Sequence, residues 1–306
     1  MRFLVVGPGA MGSLFAARLQ SAGFEVTLLD YIKERATQIN DHGIHVEGVT
    51  GHYTVKVPTT TDIAKPPDLV LICVKAYNTR EAGLNIESWL KPETAVVTLQ
   101  NGVGNLEILE EIFGRERVLG GVTAEGATLL GPGRIRHAGR GETIIGPSGN
   151  KGSPVEKMVV AFNRAGFQTR SVDDVRDLIW GKLLINVGIN ALTAITRLKN
   201  GRLPELEGTR LVLEEAVKEA AAVAEAKHVK LPYTDPIGRV MEVCRATAGN
   251  IASMLQDVLK EKLTEIDFIN GAIVREGRAL GIPTPVNLTL TSLVQVIQKT
   301  YQERIV

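Results

Sequence analysis

The sequence predicts an α/β protein in two parts: a doubly wound parallel sheet with an antiparallel extension over residues 1–172, and an all-α domain over residues 173–306. Three observations carry this prediction. Short apolar runs at 2–6, 69–74 and 95–99 alternate with helical or loop sequence, the texture of parallel strands covered on both faces. A glycine-rich turn separates the first run from a helical pattern. From about residue 173 the apolar spacing is helical, and no strand-like run returns.

Taken in order, Arg2–Val6 is the first strand, and Leu14, Phe15, Ala17, Arg18 and Leu19 recur at helical spacing after it. A second strand, Glu25–Asp30, completes a βαβ unit of about 30 residues. Gly7-x-Gly9-x-x-Gly12 lies between strand and helix, and Asp30 follows Gly12 by 18 positions. That context marks a Rossmann-type dinucleotide site. Gly7 permits the tight turn, Gly9 lets the backbone approach a pyrophosphate, and Gly12 lets the helix pack on the strand. Pro8, Ala10 and Met11 complete the loop, and the helix N-terminus offers N–H groups to the anion. Asp30 favours NAD(H), because a carboxylate there accepts from the ribose 2′-hydroxyl and repels a 2′-phosphate. Lys33 and Arg35 follow closely enough to reach such a phosphate. Val74-Lys75 and Gln100-Asn101-Gly102 end the third and fourth strands, where ligands of doubly wound sheets bind.

Between 117 and 147 short β-like pieces surround Gly131-Pro132-Gly133 and Gly139-Arg140-Gly141, a hairpin signature read here as an antiparallel edge extension. A turn-rich stretch, 146–150, precedes a helix over 155–165 and a last strand over 167–171. Beyond it, helical segments are predicted at 174–198, 205–227, 236–248 and 255–280.

Composition excludes several function classes. Lys+Arg 35 against Asp+Glu 34 leaves a net charge of +1, which gives no basic field for nucleic acid. No apolar run approaches the roughly 18–20 residues of a bilayer span, and the opening apolar stretch is too short for a signal-peptide core, so a cytoplasmic protein is expected. Cys73 and Cys244 are far apart, which fits a reducing compartment, and Cys73 is expected in the buried core. His42, His45, His52, His137 and His228 are scattered without metal-ligand spacing.

The chemistry is expected on one helix. In Trp180–Ala191, Lys182, Asn186 and Asn190 recur every four residues, each turned about 40° from the last, so all three share a face of an otherwise apolar helix. Buried amides beside a lysine are costly unless they face partners or a cavity. An ammonium in that place suits a carbonyl reduction, stabilising and then protonating the oxygen as hydride reaches the carbon. Glu265, on a later helix, would orient the ammonium and oppose the fall in its pKa that burial causes.

Taken together, several motifs resemble the ketopantoate reductase family (2-dehydropantoate 2-reductase) over nearly the whole chain. They are the glycine loop, Gln100-Asn101-Gly102, Trp180-x-Lys182-x3-Asn186-x3-Asn190, Asn200-Gly201, Ser253-Met254-Leu255-Gln256-Asp257 and Thr264-Glu265-Ile266-Asp267. The resemblance implies NADPH-dependent reduction of 2-dehydropantoate to pantoate, a step toward pantothenate and coenzyme A. It implies Lys182 as proton donor, Asn186, Asn190 and Asn200 as substrate-binding amides, and Ser253 on the substrate carboxylate. It further implies Glu265 near the lysine and the nicotinamide ribose, with Lys75, Asn101 and Gly126 as cofactor contacts. One departure concerns the cofactor: NADPH-preferring members often carry an arginine just after the second strand, and this chain has Asp30-Tyr31. NADP(H) is the family's habit, NAD(H) the local residues' indication. Alternatives are a β-hydroxyacid dehydrogenase, a reductase of another small 2-ketoacid, and a nicotinamide-nucleotide sensor without chemistry. The expected partner is a small-molecule 2-ketoacid, with neither nucleic acid nor membrane, and the amphipathic helices of the second domain would serve a homodimer.

Overall fold

A computed structural model describes residues 1–147 and 155–304. Ser148–Asn150 of the turn-rich stretch lie outside the described residues. The chain divides into two compact units, Met1–Gln100 with Asn105–Val175, and Asn101–Gly104 with Arg176–Val306. This departs from a single cut near 172, because a four-residue segment between two strands of the first unit packs with the second.

The first unit runs β1 (Arg2–Val6), α1 (Ala10–Ser21), β2 (Glu25–Leu29), α2 (Lys33–His42), β3 (Ile44–Gly48), β4 (Tyr53–Val55), β5 (Thr59–Thr60), β6 (Leu69–Ile72), α3 (Thr79–Glu87), β7 (Ala95–Thr98), α4 (Asn105–Phe113), β8 (Val118–Thr123), β9 (Gly126–Gly131), β10 (Arg134–Gly139), β11 (Thr143–Gly146), α5 (Val155–Arg164) and β12 (Thr169–Ser171). Eight strands form the main sheet in the order β12-β11-β8-β7-β6-β1-β2-β5. It is parallel from β8 to β5, and β11 pairs antiparallel with β8. The chain leaves β1 toward β2 on one side and later returns to β6 on the other, so the carboxyl end of β1 is the switch point.

The strands are apolar because both faces are covered: Phe3, Val5, Leu71 and Val97 belong to one core with Leu14 and Phe15 of α1. Phe15, Phe162 and Phe167 meet with ring centroids 5.0–5.4 Å apart and join α1 to α5 and the entry of β12.

The antiparallel extension expected over 117–147 forms where β11 pairs with β8 at the edge of the parallel strands, but the hairpin within that stretch lies elsewhere. β9 and β10 pair antiparallel around Gly133 (φ +63°) and join β3 and β4 in a separate sheet, ordered β4-β3-β10-β9, because β10 pairs parallel with β3. A buried contact ties the joint between the two sheets. His137 on β10 places Nε2 2.6 Å from Glu125 Oε2, just before β9, and Nδ1 3.0 Å from Thr50 Oγ1. Neither side chain of the Glu125–His137 pair is more than 1% exposed. Glu125→Ala would leave a buried ring nitrogen unpaired and is expected to cost about 1–3 kcal/mol. Equilibrium denaturation of the variant checks this, with an unchanged midpoint as the contrary result.

Every regular element of the second unit among the described residues is helical: α6 (Arg176–Thr196), α7 (Glu207–Ala226), α8 (Pro236–Ala246), α9 (Ser253–Leu259), α10 (Asn270–Leu280) and α11 (Pro285–Lys299), with short 3-10 turns between some of them. Two expectations are corrected here. The segment 255–280 is not one helix: it breaks after Leu259, with Glu261 at φ +51°, and resumes at Asn270. The final helix, α11, was not anticipated, although Pro285 at its first turn is a helix-start signal.

α6 has the length and hydropathy to cross a membrane, yet it packs on α7, α8, α9 and α11, and 67% of its most apolar window is buried. Gly188 permits that packing, since a Cβ there would lie 2.8 Å from Val240 Cγ1 and 2.9 Å from Val217 Cγ2. Beside it runs a buried polar chain: Asn270 Nδ2 donates to Val187 O and to Asn287 Oδ1, and Asn287 Nδ2 donates to Glu219 Oε2.

Candidate active site

The first unit carries the glycine loop at the carboxyl end of β1. Gly7 is at φ +103°, its N–H donates to Leu29 O at 3.0 Å, and a Cβ there would meet Val74 at 2.9 Å. A Cβ on Gly12 would sit 2.0 Å from Gly7 O, so turn and helix are in direct backbone contact. Gly9 differs from both. Its backbone (φ −71°, ψ −172°) suits any residue, and a Cβ would find nothing nearer than Cys73 O at 3.9 Å. Nothing in the chain itself requires glycine at position 9, and the space a side chain would take is the approach path of a pyrophosphate. α1 starts there without a side-chain cap, leaving first-turn N–H groups to an anion. Gly7, Pro8 and Gly12 are buried, whereas Gly9, Ala10 and Met11 are partly exposed along the rim. Ser13 Oγ donates to Pro8 O at 3.3 Å and fastens the loop from below. The residues fit a dinucleotide.

Cys73 is not wholly buried core as expected. It is half-buried, with its Cβ 3.0 Å from where a Cβ on Gly12 would lie, and burial pushes its thiol pKa well up. Lys75 is half-buried after β6, at the entry to a 3-10 turn, Ala76–Asn78. Gln100 is a tie between strand ends: Nε2 donates to Val74 O at 2.7 Å and Thr79 Oγ1 at 2.9 Å, and Thr98 Oγ1 donates to Oε1 at 2.8 Å. Gly126 opens β9 in the small sheet, where a Cβ would meet only ordinary contacts, the nearest at 3.6 Å.

Asp30 is where the structure departs most from the sequence expectation. The residue is 0% exposed, and both carboxylate oxygens are taken within the unit, by the Arg35 guanidinium and the Ile32 N–H. The acceptor expected to face a ribose is turned into the fold by its own neighbour.

The second unit carries the polar stripe on α6. Lys182 and Asn186 are half-buried and Asn190 is buried. Burial lowers the Lys182 pKa to about 8, and the negative charge of Glu265 acts in the opposite direction. Glu265 itself is 7% exposed, just before the 3-10 turn Ile266–Phe268. That turn also receives the short segment after β7: Val103 N–H donates to Phe268 O at 3.0 Å, and Gly102 is at φ +87° with the same carbonyl where a Cβ would lie. Asn101 is thereby carried into the unit that holds Lys182 and Glu265.

Two amides expected to bind substrate have a buried atom without a partner, Asn186 Nδ2 and Asn200 Oδ1. Asn200 follows α6 in a 3-10 turn and is aligned by Thr247 at the end of α8, whose Oγ1 accepts from Asn200 Nδ2 at 2.9 Å. Thr247 was not singled out in the sequence; a hydroxyl at a helix C-terminus gives no distinguishing signal. Ser253 is exposed at the first residue of α9, a helix packed on α6. Among the described residues no three His, Cys, Asp or Glu side chains converge to hold a metal.

Comparison with known proteins decides the family. Residues 3–150 match the ketopantoate reductase PanE/ApbA model, and residues 174–298 match the corresponding C-terminal model. The chain belongs to the ketopantoate reductase family. It is 37% identical over 303 residues to a 2-dehydropantoate 2-reductase of Halobacterium salinarum, covering 98% of this chain and 99% of that protein. It is 35% identical over 297 residues to the enzyme of the same name from Pyrococcus horikoshii, covering 96% and 97%. Among solved structures, a PanE/ApbA family ketopantoate reductase from Ralstonia eutropha superimposes with a TM-score of 0.92 at 36% identity, covering 99% of this chain and all of that one. A D-mandelate dehydrogenase solved with NADH and anilino(oxo)acetate reaches a TM-score of 0.91 at 29% identity over 99% and 100%. The fold class is that of the family: a doubly wound α/β unit joined to a helical one.

For a member of this family the Lys182–Glu265 pair has a pH consequence. If Lys182 is the proton donor, its pKa of about 8 makes kcat/KM fall about tenfold per pH unit above that value. Glu265 raises the pKa, so Glu265→Gln should move the break to lower pH. A pH–rate profile of both proteins checks the sign, and a break shifted upward contradicts it.

Proposed function

We propose that this enzyme reduces 2-dehydropantoate to (R)-pantoate, a step of pantothenate and coenzyme A biosynthesis. The first unit is the nucleotide-binding unit and the second the substrate and catalytic unit. The reduced nicotinamide dinucleotide supplies the hydride that adds to the ketone carbon. Lys182 donates its proton to the carbonyl oxygen as the carbon–oxygen double bond becomes single, giving the hydroxyl, and the amine regains a proton from solvent. Before transfer its positive charge polarises the carbonyl. Glu265 holds the ammonium in its charged form, and the lowered pKa makes that ammonium a stronger acid than an exposed lysine. Asn186, Asn190 and Asn200 orient the oxygens of the substrate, and Ser253 binds its carboxylate. Lys75, Asn101 and Gly126 are assigned to the cofactor.

The observation that carries this reading is the α6 stripe: a half-buried lysine of lowered pKa on the same face as an amide whose Nδ2 is buried and unsatisfied. Buried unpaired amide atoms are rare, and a ligand or an ordered water completes their bonding. The test is a spectrophotometric assay of NADPH and NADH oxidation with 2-dehydropantoate and related 2-ketoacids. Turnover of 2-dehydropantoate supports the proposal, and oxidation only with another ketoacid assigns a different substrate. That second reading, a reductase of another 2-ketoacid, is favoured by the likeness to D-mandelate dehydrogenase. A cytoplasmic location belongs to the same reading, supported by free thiols at Cys73 and Cys244.

A further inference from the structure

We propose that Asn270 is a positioning residue for the Lys182–Glu265 pair: its buried amide bonds α6 to the segment that carries Glu265 and so sets where the carboxylate stands against the ammonium. Its catalytic meaning rests on Lys182 as the proton donor proposed above, whereas the positioning itself does not.

The link lies at the same chain separation from each member of the pair. Val187 follows Lys182 by five residues on α6, about 7.5 Å along the helix, and Asn270 follows Glu265 by five residues on the facing segment. That segment is braced by its own backbone: Phe268 N–H donates to Glu265 O at 3.0 Å, and Ile269 N–H to Ile266 O at 3.2 Å. Ile266 and Ile269 are buried in one core with Leu183, Leu184 and Val187. Apolar packing is not directional and leaves the slide of one segment past the other weakly fixed, whereas a hydrogen bond defines it. Asn270 Nδ2 supplies that bond, donating to Val187 O at 3.2 Å.

The direction of that amide is dictated from α7. A carboxylate accepts, and both oxygens of Glu219 do so: Oε1 from Val286 N–H at 2.8 Å, and Oε2 from Asn287 N–H at 2.9 Å and Asn287 Nδ2 at 2.7 Å. Asn287 Nδ2 also donates to Ala216 O at 3.0 Å, so Asn287 Oδ1 is turned the other way, where it accepts from Asn270 Nδ2 at 3.0 Å. Both protons of Asn270 Nδ2 are thereby assigned, one to Asn287 and one to α6. Asn270 and Asn287 are fully buried, and Asn270 Oδ1 is left with no partner among the described residues. A pair of apolar side chains at 270 and 287 would avoid the cost of that orphan oxygen, so what the amides add is the aim of a bond rather than stability.

Titration of the Lys182 ammonium in the full-length enzyme, followed by NMR of isotope-labelled lysine and assigned by the signal lost in Lys182→Arg, tests the proposal without turnover. Among the described residues the charge that acts on Lys182 is that of Glu265, and it raises the lysine pKa against the effect of burial. Asn270→Ser, whose hydroxyl is too short to span to α6, should move the midpoint below about 8, the direction expected of Glu265→Gln. Combined with Glu265→Gln it should add no further movement, since both act through one charge. At a temperature where the variant is folded, kcat should fall about 10–100-fold while dinucleotide affinity stays within about threefold. Should Asn270→Ser not fold, Asn270→Leu combined with Asn287→Leu removes the bond to α6 without leaving a buried amide unpaired, and should move the midpoint the same way. An unmoved midpoint in a folded variant, or a further shift on adding Glu265→Gln, overturns the assignment and makes Asn270 ordinary core. A shifted midpoint with unaltered kcat, together with wild-type turnover in Lys182→Ala, would refute the proposed proton donor and leave the positioning role standing.

Discussion

Lys182→Ala is expected to lower kcat by about 10²–10⁴-fold, the usual contribution of a positioned general acid. The loss should appear in kcat and kcat/KM together, because an ammonium that meets the developing oxyanion acts more in the transition state than on the bound ketone. Dinucleotide affinity, measured by titration without ketoacid, should stay within about threefold. Stability should not fall: a half-buried lysine whose pKa is lowered to about 8 is held in its charged form at a cost below that pH. The folded state releases the proton near 8 and the unfolded chain near 10.5, so the wild type gains stability as pH rises between these values. Alanine removes that dependence. Wild-type turnover in the variant, or a loss confined to nucleotide binding, would take Lys182 out of the chemistry.

Gly9→Ala and Gly12→Ala should fail in opposite ways. At Gly9 the backbone is ordinary and the added methyl meets nothing within 3.9 Å, so the melting temperature should be unchanged while dinucleotide affinity falls about 10–100-fold. That range corresponds to one lost backbone bond to a charged pyrophosphate. At Gly12 the methyl would fall 2.0 Å from the Gly7 carbonyl, a rigid neighbour, so α1 must move off β1. Overpacking of this kind costs about 1–3 kcal/mol and should lower the melting temperature before any ligand is added. Thermal melts read alongside nucleotide titrations separate the two effects. A destabilised Gly9→Ala would mean that the glycine serves the fold and not a ligand.

The strand, glycine turn and first helix could be read from sequence because each depends on neighbours within a few residues: Gly7 and Gly12 act on a turn they themselves form. The α6 stripe was readable for the same reason, since four-residue spacing alone puts Lys182, Asn186 and Asn190 on one face. The placing of Asn101–Gly104 with the helical unit was not readable, because a backbone bond from Val103 to Phe268 joins positions 165 apart. The β9–β10 hairpin illustrates the same limit. Its turn residues announce a hairpin, but which sheet it joins is set by the distant partner β3.

The sequence by itself determined the two-part fold class, the strand, glycine turn and helix at the start, the shared face of Lys182, Asn186 and Asn190, and the family, because these follow from local periodicity and from motifs contiguous in the chain. Tertiary structure alone decided what the polar groups are free to do. Asp30 is read from sequence as a ribose acceptor, yet α2 brings Arg35 back onto it and consumes both oxygens. Gln100 is spent tying strand ends, while buried Asn186 and Asn200 each keep an atom unsatisfied. A side chain's chemistry is written in its identity, but its free valence depends on which distant or returning segment reaches it first.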